Sequence, residues 1–504
     1  MGSDPVFGKW RSRLWPVHGY ELKKVIPMVL MFFLVLFNYQ ILRDIKDALV
    51  VTSEGSGAEI IPFLKFWGVL PGAIFFVMLY MKMSNKLSKK ALFYSSVMPF
   101  ALFFAFFPLL YAFRHTLHPE AFADQLQSIL PQGFMGLIAI FRNWTYSLFY
   151  IMSELWGSVA LSLLYWGFAN DTNKVSESKR FYPLFGLLGN LSLPAAGVII
   201  IAAGQFRSVA APDVDTWQLT LNWLMFAVVL GSLGIMALYW WMHRYVFTDS
   251  RFVNTEPKKN KKKRPHMGMI ESIKYLASSK YLCLLSLLIV GYGFSINLIE
   301  VTWKNQLKLQ YPDPSSYLEF MGIFTSITGI ATIFMMLFVG GNVIRRFGWT
   351  VGALFTPIVL LITGTGFFIC VLGGDAASGV VSLMGTTPLM MAVILGCAQN
   401  VMSKSSKYSL FDPTKEMAYI PLDEEQKVKG KAALDVVGAR MGKSGGALVQ
   451  QGLIIIFGTI SAITPYLGGI LLIIILAWCY AAFRLGGMFN KEVNASKKAS
   501  DSAA

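Results

Sequence analysis

SKSSKYSLFDPTKEMAYIPLDEEQKVKGKAALDVVGARMGKSGGALVQQ, residues 403–451, lies between two strongly apolar stretches of a chain in which charge is otherwise scarce. A lysine-dense connector whose far end, Lys443, runs into a small-residue membrane helix is suited to handling an anion; a water-soluble loop has no need to end that way. The apolar flanks set the fold class. Hydrophobic residues fill 55% of the 504 positions and charged residues 14%, the balance of a polytopic membrane protein with no large soluble core.

Working outward, windows long enough to cross the roughly 30 Å hydrocarbon layer as helices recur at 25–42, 60–81, 91–113, 142–168, 183–204, 218–242, 281–303, 318–344, 349–373, 386–410, 443–463 and 465–486. These predict an all-α polytopic fold of twelve transmembrane helices. Loop charge tests the count, because cytoplasmic loops hold the Lys and Arg. Lys9, Arg11, Arg13, Lys23 and Lys24, then Lys82 to Lys90, Lys174 to Arg180, the 243–280 segment, Arg345 and Arg346, the 411–442 connector and the tail alternate with loops that carry few or no basic residues. Both termini are therefore expected in the cytoplasm. The same bias accounts for the net charge of +16, so no nucleic-acid partner is expected.

The basic run PKKNKKKRPHMG, residues 257–268, divides the chain. Expected units are a cytoplasmic segment 1–24, a six-helix bundle 25–242, a solvated linker 243–280, a second six-helix bundle 281–486 and a cytoplasmic tail 487–504. The halves echo each other: residues 170–198 and 412–449 both run from an Asp near Thr and Lys, through a basic stretch, to a small-residue helix entry, with Gly189–Asn190 and Gly442–Lys443 in equivalent places. Two six-helix halves around a central site is the major-facilitator architecture. Gly186, Gly189, Gly442, Gly445 and Gly446 would let these helices approach closely. The first apolar run has no small-residue cleavage site after it, so the first span is expected to be retained. Nor is the N-terminal stretch long and Ser/Arg-rich, which favours a bacterial inner membrane over a plastid envelope. Cys283, Cys370, Cys397 and Cys479 fall inside spans without pairing or metal-ligand spacing.

Ionisable residues inside spans are functional candidates, since each costs several kcal/mol without a partner or water. Tyr39, Arg43, Lys46 and Val50 share one face of the first span, where Asp44 and Asp47 can neutralise part of the charge. Asn143, Ser147, Tyr150, Glu154 and Ser158 draw a polar stripe along the fourth, which either touches a substrate or braces a neighbouring helix. Glu300 stands near Asn297 and Lys304 on the seventh; it pairs with Lys46 as a gate, or locally with Lys304 at the surface. Asn400, Lys404 and Lys407 share a face of the tenth, either functional or snorkelling to anionic lipid. GARMGKS, 438–444, is one residue short of a P-loop and has no strand before it. A glycine-flanked lysine at a helix N-terminus nevertheless favours phosphate, which makes Lys443 the strongest phosphate candidate, with Arg440 beside it.

Taken together, ILRDIKDALVVT, SELWGSVALSLLYWGFAND, NLIEVTWK, KYSLFDPTKEMAYIPLDEEQKVKGKAALDVV and GKSGGALVQQ resemble the nucleotide transporter family of ATP/ADP translocases of obligate intracellular bacteria and plastids, over roughly Tyr20 to Gly487. The resemblance implies twelve spans and transport residues at Lys46, Glu154 and Glu300, with a fourth lysine at Lys431 or Lys443. It implies a carrier that works as a monomer in the bilayer, exchanging ATP for ADP by alternating access, with lysines that stay uncompensated in the empty state. No cofactor, metal or catalytic residue is expected. The alternatives are a proton-coupled or broad carrier of other nucleotides or NAD, and a membrane enzyme acting on a phosphorylated lipid. Against the enzyme, no histidine lies on a polar intramembrane stripe and no Asp-rich metal motif occurs.

Overall fold

The computed structural model describes residues 15–205, 214–252, 269–374, 385–422 and 438–501, with a few isolated positions between 375 and 437. All regular structure among these residues is helical. The helices that matter here are α1 Leu22–Thr52, α2 Ile60–Lys86, α3 Lys89–Ala112, α4 Trp144–Thr172, α5 Ser176–Gly204, α6 Thr216–Val246, α7 Lys280–Gln310, α8 Pro314–Phe334, α9 Gly341–Gly373, α10 Pro388–Ser406, α11 Gly446–Phe457 and α12 Ile460–Asp501.

Nine helical stretches among the described residues are long and apolar enough to cross a membrane, fewer than the twelve expected from the windows. Two causes are visible. α8 and α9 run together through the π-helical turn Met335–Gly340 as one 60-residue stretch, which turns within α9 at Gly348, whose φ of 81° lies where a side chain is disfavoured. The window at 386–410 falls on α10, which carries Gln399, Asn400, Ser403, Lys404, Ser405 and Ser406, and that at 443–463 begins on α11, a helix of 12 residues. Polar lining shortens the apolar signal of helices that face the interior.

Several helices contain a π-helical turn, among them Leu64–Val69 in α2, Gly157–Tyr165 in α4, Lys407–Phe411 after α10 and Gly438–Gly445 before α11. Each turn shifts the side chains beyond it out of α-helical register.

The two halves meet along α5 and α8, where glycine is needed. A Cβ at Gly197 would collide with the carbonyl oxygen of Gly322, and one at Gly329 with the ring of Pro194. Of the glycines expected to permit close approach, Gly442 lies against the backbone of Gly293, Gly445 against Phe294, Gly446 against Asn297 and Gly189 against Phe32. Gly186 faces open space and serves no such contact.

One end of the bundle carries the basic connections; the other carries the 53–59, 113–143 and 311–313 connections, and there the halves are clasped. Gln451 Nε2 donates to Pro62 O at 2.8 Å, Trp67 Nε1 to Gln451 Oε1 at 3.2 Å, and Lys308 Nζ to Ser56 O. Gly133 packs onto the backbone of Ile454 and Ile455.

Candidate functional site

Just inside that clasp, helices α1, α2, α4, α7 and α10 bring nine charged side chains together, with α8 supplying Thr325 and Phe324 beside them. Their pairs form a ladder of alternating sign. Glu154 meets Lys46 at 3.2 Å, Lys46 meets Asp47 at 2.8 Å, Asp47 meets Lys304 at 2.8 Å, and Lys304 meets Glu300 at 3.1 Å. Glu300 also takes Arg43 at 3.1 Å and Lys65 at 3.4 Å. Three of these pairs cross between the halves: Arg43 with Glu300, Lys65 with Glu300, and Asp47 with Lys304. Asp44 accepts from Thr325 Oγ1 at 2.6 Å, and Gln40 donates to the same Thr325 at 3.2 Å, adding a cross-half hydrogen-bond link.

α-Helical spacing explains the grouping. On α1, Arg43, Lys46 and Asp47 lie at i, i+3 and i+4, so all three reach the interface. On α7, Glu300 and Lys304 are one turn apart in the same way. Burial sets the energetics: the Lys46 and Lys304 side chains are 3% and 2% exposed and Asp47 is fully buried. Ionised groups this dry persist because each is paired, and removing one partner strands the others at about 3–5 kcal/mol. Arg43, Glu154 and Lys65 are partly exposed, about a fifth of each side chain, so the ladder is open to a ligand at these members.

Lys404 differs from its neighbours. Its ammonium stands 4.5 Å above the Phe324 ring, and it makes no ion pair with a carboxylate among the described residues. Arg43, Lys46, Lys65, Lys304 and Lys404 therefore face Asp44, Asp47, Glu154 and Glu300, leaving one positive charge in excess. Nearby polar atoms also lack partners. Tyr150 Oη, both amide atoms of Gln399 and Ser403 Oγ are buried without a hydrogen bond, an arrangement that a polar ligand would relieve.

The placement corrects several expectations. Glu300 does not pair with Lys46; it holds Arg43, Lys65 and Lys304, while Lys46 goes to Asp47 and Glu154. Nor is Lys304 part of a surface pair. Lys46 is compensated, because Asp47 follows it in sequence and Glu154 reaches it from α4. Tyr39 packs on Gly157, and Tyr150 lies under Lys46 with its ring centroid 4.0 Å from Nζ. Asn143 and Ser147, from the same polar stripe, are hydrogen-bonded within the first half: Asn143 ties to Ser53 and to the carbonyl of Glu54, and Ser147 donates to Ile140 O. Asn400 donates to Gly396 O within its own helix. Lys407 binds Asp412 at 3.0 Å, so neither it nor Lys404 needs to snorkel.

Lys431 lies in the connector, exposed, on Glu416 at 2.7 Å. It joins no carboxylate of the ladder. The side chains of Arg440 and Lys443 lie outside the described residues, as does the 257–268 linker. Their backbone belongs to the π-helical turn 438–445, continuous with α11, so residue 443 is not at a free helix N-terminus. Sequence reasoning missed Lys65, although a lysine five residues into an apolar window is the same signal that singled out Glu154. Among the described residues no group of three or more His, Cys, Asp or Glu side chains could hold a metal ion.

The family model described as TLC ATP/ADP transporter matches residues 2–489. The chain is 57% identical over 488 residues to "ADP,ATP carrier protein 1" of Chlamydia muridarum, covering 97% of this chain and 92% of the relative. It is 53% identical over 490 residues to the "Plastidic ATP/ADP-transporter" of Solanum tuberosum, covering 97% and 76%. It is 39% identical over 501 residues to "ADP,ATP carrier protein 1" of Rickettsia prowazekii, covering 98% and 99%. Among solved structures, a mutant of the nucleoside transporter NupG is similar with a TM-score of 0.54 at 12% identity, over 93% of this chain and 100% of that one. A D-xylose-proton symporter is similar with a TM-score of 0.54 at 14% identity, over 93% and 97%. At these identities the solved structures speak for the fold alone.

Proposed function

The chain belongs to the TLC ATP/ADP transporter family, and from that premise we propose that it exchanges ATP for ADP across the bacterial inner membrane by alternating access, with the ion ladder as its substrate-sensitive lock. The single observation that carries the mechanism is the set of three ion pairs crossing between the halves at Glu300 and Asp47. With the basic loops in the cytoplasm, the clasped end faces outward and the carrier is closed on that side.

The lock works by competition. A polyphosphate entering from the basic end meets Lys404, the cation without a carboxylate, and then Arg43 and Lys46. Phosphate oxygens form the same charge-assisted bonds that the carboxylates supply. As they take over Arg43, Lys46, Lys65 and Lys304, Glu300 and Asp47 lose their hold across the interface and the clasp can part. Without substrate, parting the halves would strand several buried charges at once. An empty carrier therefore reorients rarely, and transport becomes exchange. The barrier comes from the paired members of the ladder, Lys46 and Lys304 among them, where the sequence suggested unpaired lysines.

Residues 25–242 and 281–486 act in this scheme as the two moving bundles, with 243–280 as linker and both termini cytoplasmic. The protein acts as a monomer and a carrier, with no bond made or broken in the nucleotide. Liposomes containing the full chain test the reading. ATP uptake should be slow into empty vesicles and rise sharply when ADP or ATP is loaded inside, with little response to a pH gradient alone. Equal filling of empty and loaded vesicles, or uptake driven by an imposed proton gradient and abolished by Glu154→Gln, would establish proton coupling instead.

A further inference from the structure

Away from the ladder, at the basic end of the first half, α2, α3, α4 and α6 enclose a cavity of about 580 Å³. That volume is within the range of small-ligand sites. Its floor is aromatic: Phe93 stacks on Tyr239 with centroids 3.8 Å apart, and Phe168 and Phe247 close the sides. Its mouth is ionic. Lys89 and Asp171 meet there at 2.7 Å, their side chains 74% and 42% exposed. Gly167 lines the wall, and a Cβ at this position would meet no atom within 4 Å. The transport mechanism uses none of these residues.

We propose that this cavity seats a zwitterionic aminophospholipid, its phosphate on Lys89, its primary ammonium on Asp171 and the upper part of its acyl chains on the aromatic floor. The position suits a lipid, because the cavity sits where α2 and α4 end and the basic connections begin, at the level of the headgroups. Charge complementarity selects the headgroup. A lone lysine would favour any anion, but Asp171 beside it repels a polyphosphate or an anionic lipid and attracts a cationic group. A zwitterion satisfies both residues. Opening the exposed Lys89–Asp171 pair to admit it costs little, since such pairs contribute at most about 1 kcal/mol. A primary ammonium donates hydrogen bonds to the Asp171 carboxylate, and a trimethylated one cannot. The inference does not depend on which nucleotide is carried.

The full-length protein, reconstituted in bilayers with equal parts phosphatidylethanolamine, phosphatidylglycerol and phosphatidylcholine, is released into native mass spectrometry. Phosphatidylethanolamine should stay bound preferentially. Gly167→Trp, which fills the cavity, should lower its retention about tenfold, and Asp171→Asn should shift the preference toward phosphatidylglycerol. The idea is overturned if Gly167→Trp retains lipid like the unaltered protein, if phosphatidylglycerol or phosphatidylcholine is retained as well as phosphatidylethanolamine, if added ATP occupies the cavity and displaces the lipid, or if Asp171→Asn leaves headgroup preference unchanged. Should Gly167→Trp fail to fold, Asp171→Asn and Lys89→Gln decide, since both lie at the exposed mouth.

Discussion

Helices α1 and α7 open the two halves, and each is 31 residues long with a lysine at its twenty-fifth position, Lys46 in one and Lys304 in the other. Both lysines grip Asp47. There the likeness stops. α1 contributes Arg43, Asp44 and Asp47; α7 has Val301, Thr302 and Asn305 at those places and carries Glu300 instead. A second copy of the α1 charges would offer no carboxylate at the place of Glu300, which holds Arg43 and Lys65. Placing the acids at different positions on the two helices turns the repeat into a clasp. The contrast teaches that the fold follows the repeat while the lock depends on departures from it.

The strongest way to break the clasp is Glu300→Gln. This carboxylate holds one cation from α1, one from α2 and one from its own helix, so neutralising it leaves Arg43 and Lys65 without a carboxylate and Lys304 with Asp47 alone. A loss of about 3–5 kcal/mol from the clasped state is expected, with ATP uptake reduced about 100-fold or more at equal membrane abundance. Uptake at the wild-type rate would remove the ladder from the mechanism.

The comparison sharpens when the two lysines are removed separately. Both carboxylates of Lys46 lie on its own half, whereas Lys304 reaches across to Asp47. Lys46→Ala should therefore raise the KM for ATP about tenfold without loosening the clasp. Lys304→Ala should loosen it, raising thiol labelling of a cysteine placed at Ile454, buried at the clasped end, by about fivefold. Equal effects of the two variants on labelling would show that the halves do not divide the work in this way.

Thr325→Val is a weaker cut in the same interface. It removes the 2.6 Å hydrogen bond to Asp44 and leaves that buried carboxylate with Gln40, a partner at 3.5 Å. A cost of about 1–3 kcal/mol is expected, read as a lower unfolding temperature with exchange retained.

Much of this was legible in the sequence, and physical reasons separate what was from what was not. α-Helical periodicity placed Arg43 with Lys46, and Tyr150 with Glu154, on shared faces. The cost of charge in lipid marked Glu154 and Glu300 as interior. Which residue of one helix meets which of another depends on long-range packing, and no spacing rule reaches that far, so helical spacing offers Lys304 as a partner of Glu300, which it is, but does not point to Arg43 and Lys65. Lys65 obeys the intramembrane-charge rule and was still passed over, and the π-helical turn that carries it has no periodic signature to draw attention to it. The nine stretches are fewer than the twelve windows because two windows run together as Pro314–Gly373 and because α10 and α11 are too polar or too short to stand out by length and composition.

The connector offers the smallest expected effect. The resemblance left Lys431 and Lys443 both open as the fourth transport lysine, and the structure describes the side-chain surroundings of Lys431. Lys431 sits with Glu416 in an exposed pair, their side chains 45% and 51% accessible, a setting in which ion pairs contribute at most about 1 kcal/mol. Lys431→Ala should leave unfolding temperature nearly unchanged and ATP exchange within about twofold of wild type, while Lys443→Ala, at the π-turn that abuts Gly293 and Asn297 of α7, should weaken nucleotide binding. A Lys431→Ala carrier that reaches the membrane in normal amount yet exchanges nothing would reverse the assignment. It would also mean that the Glu416 pair belongs to one half of the transport cycle and is broken in the other.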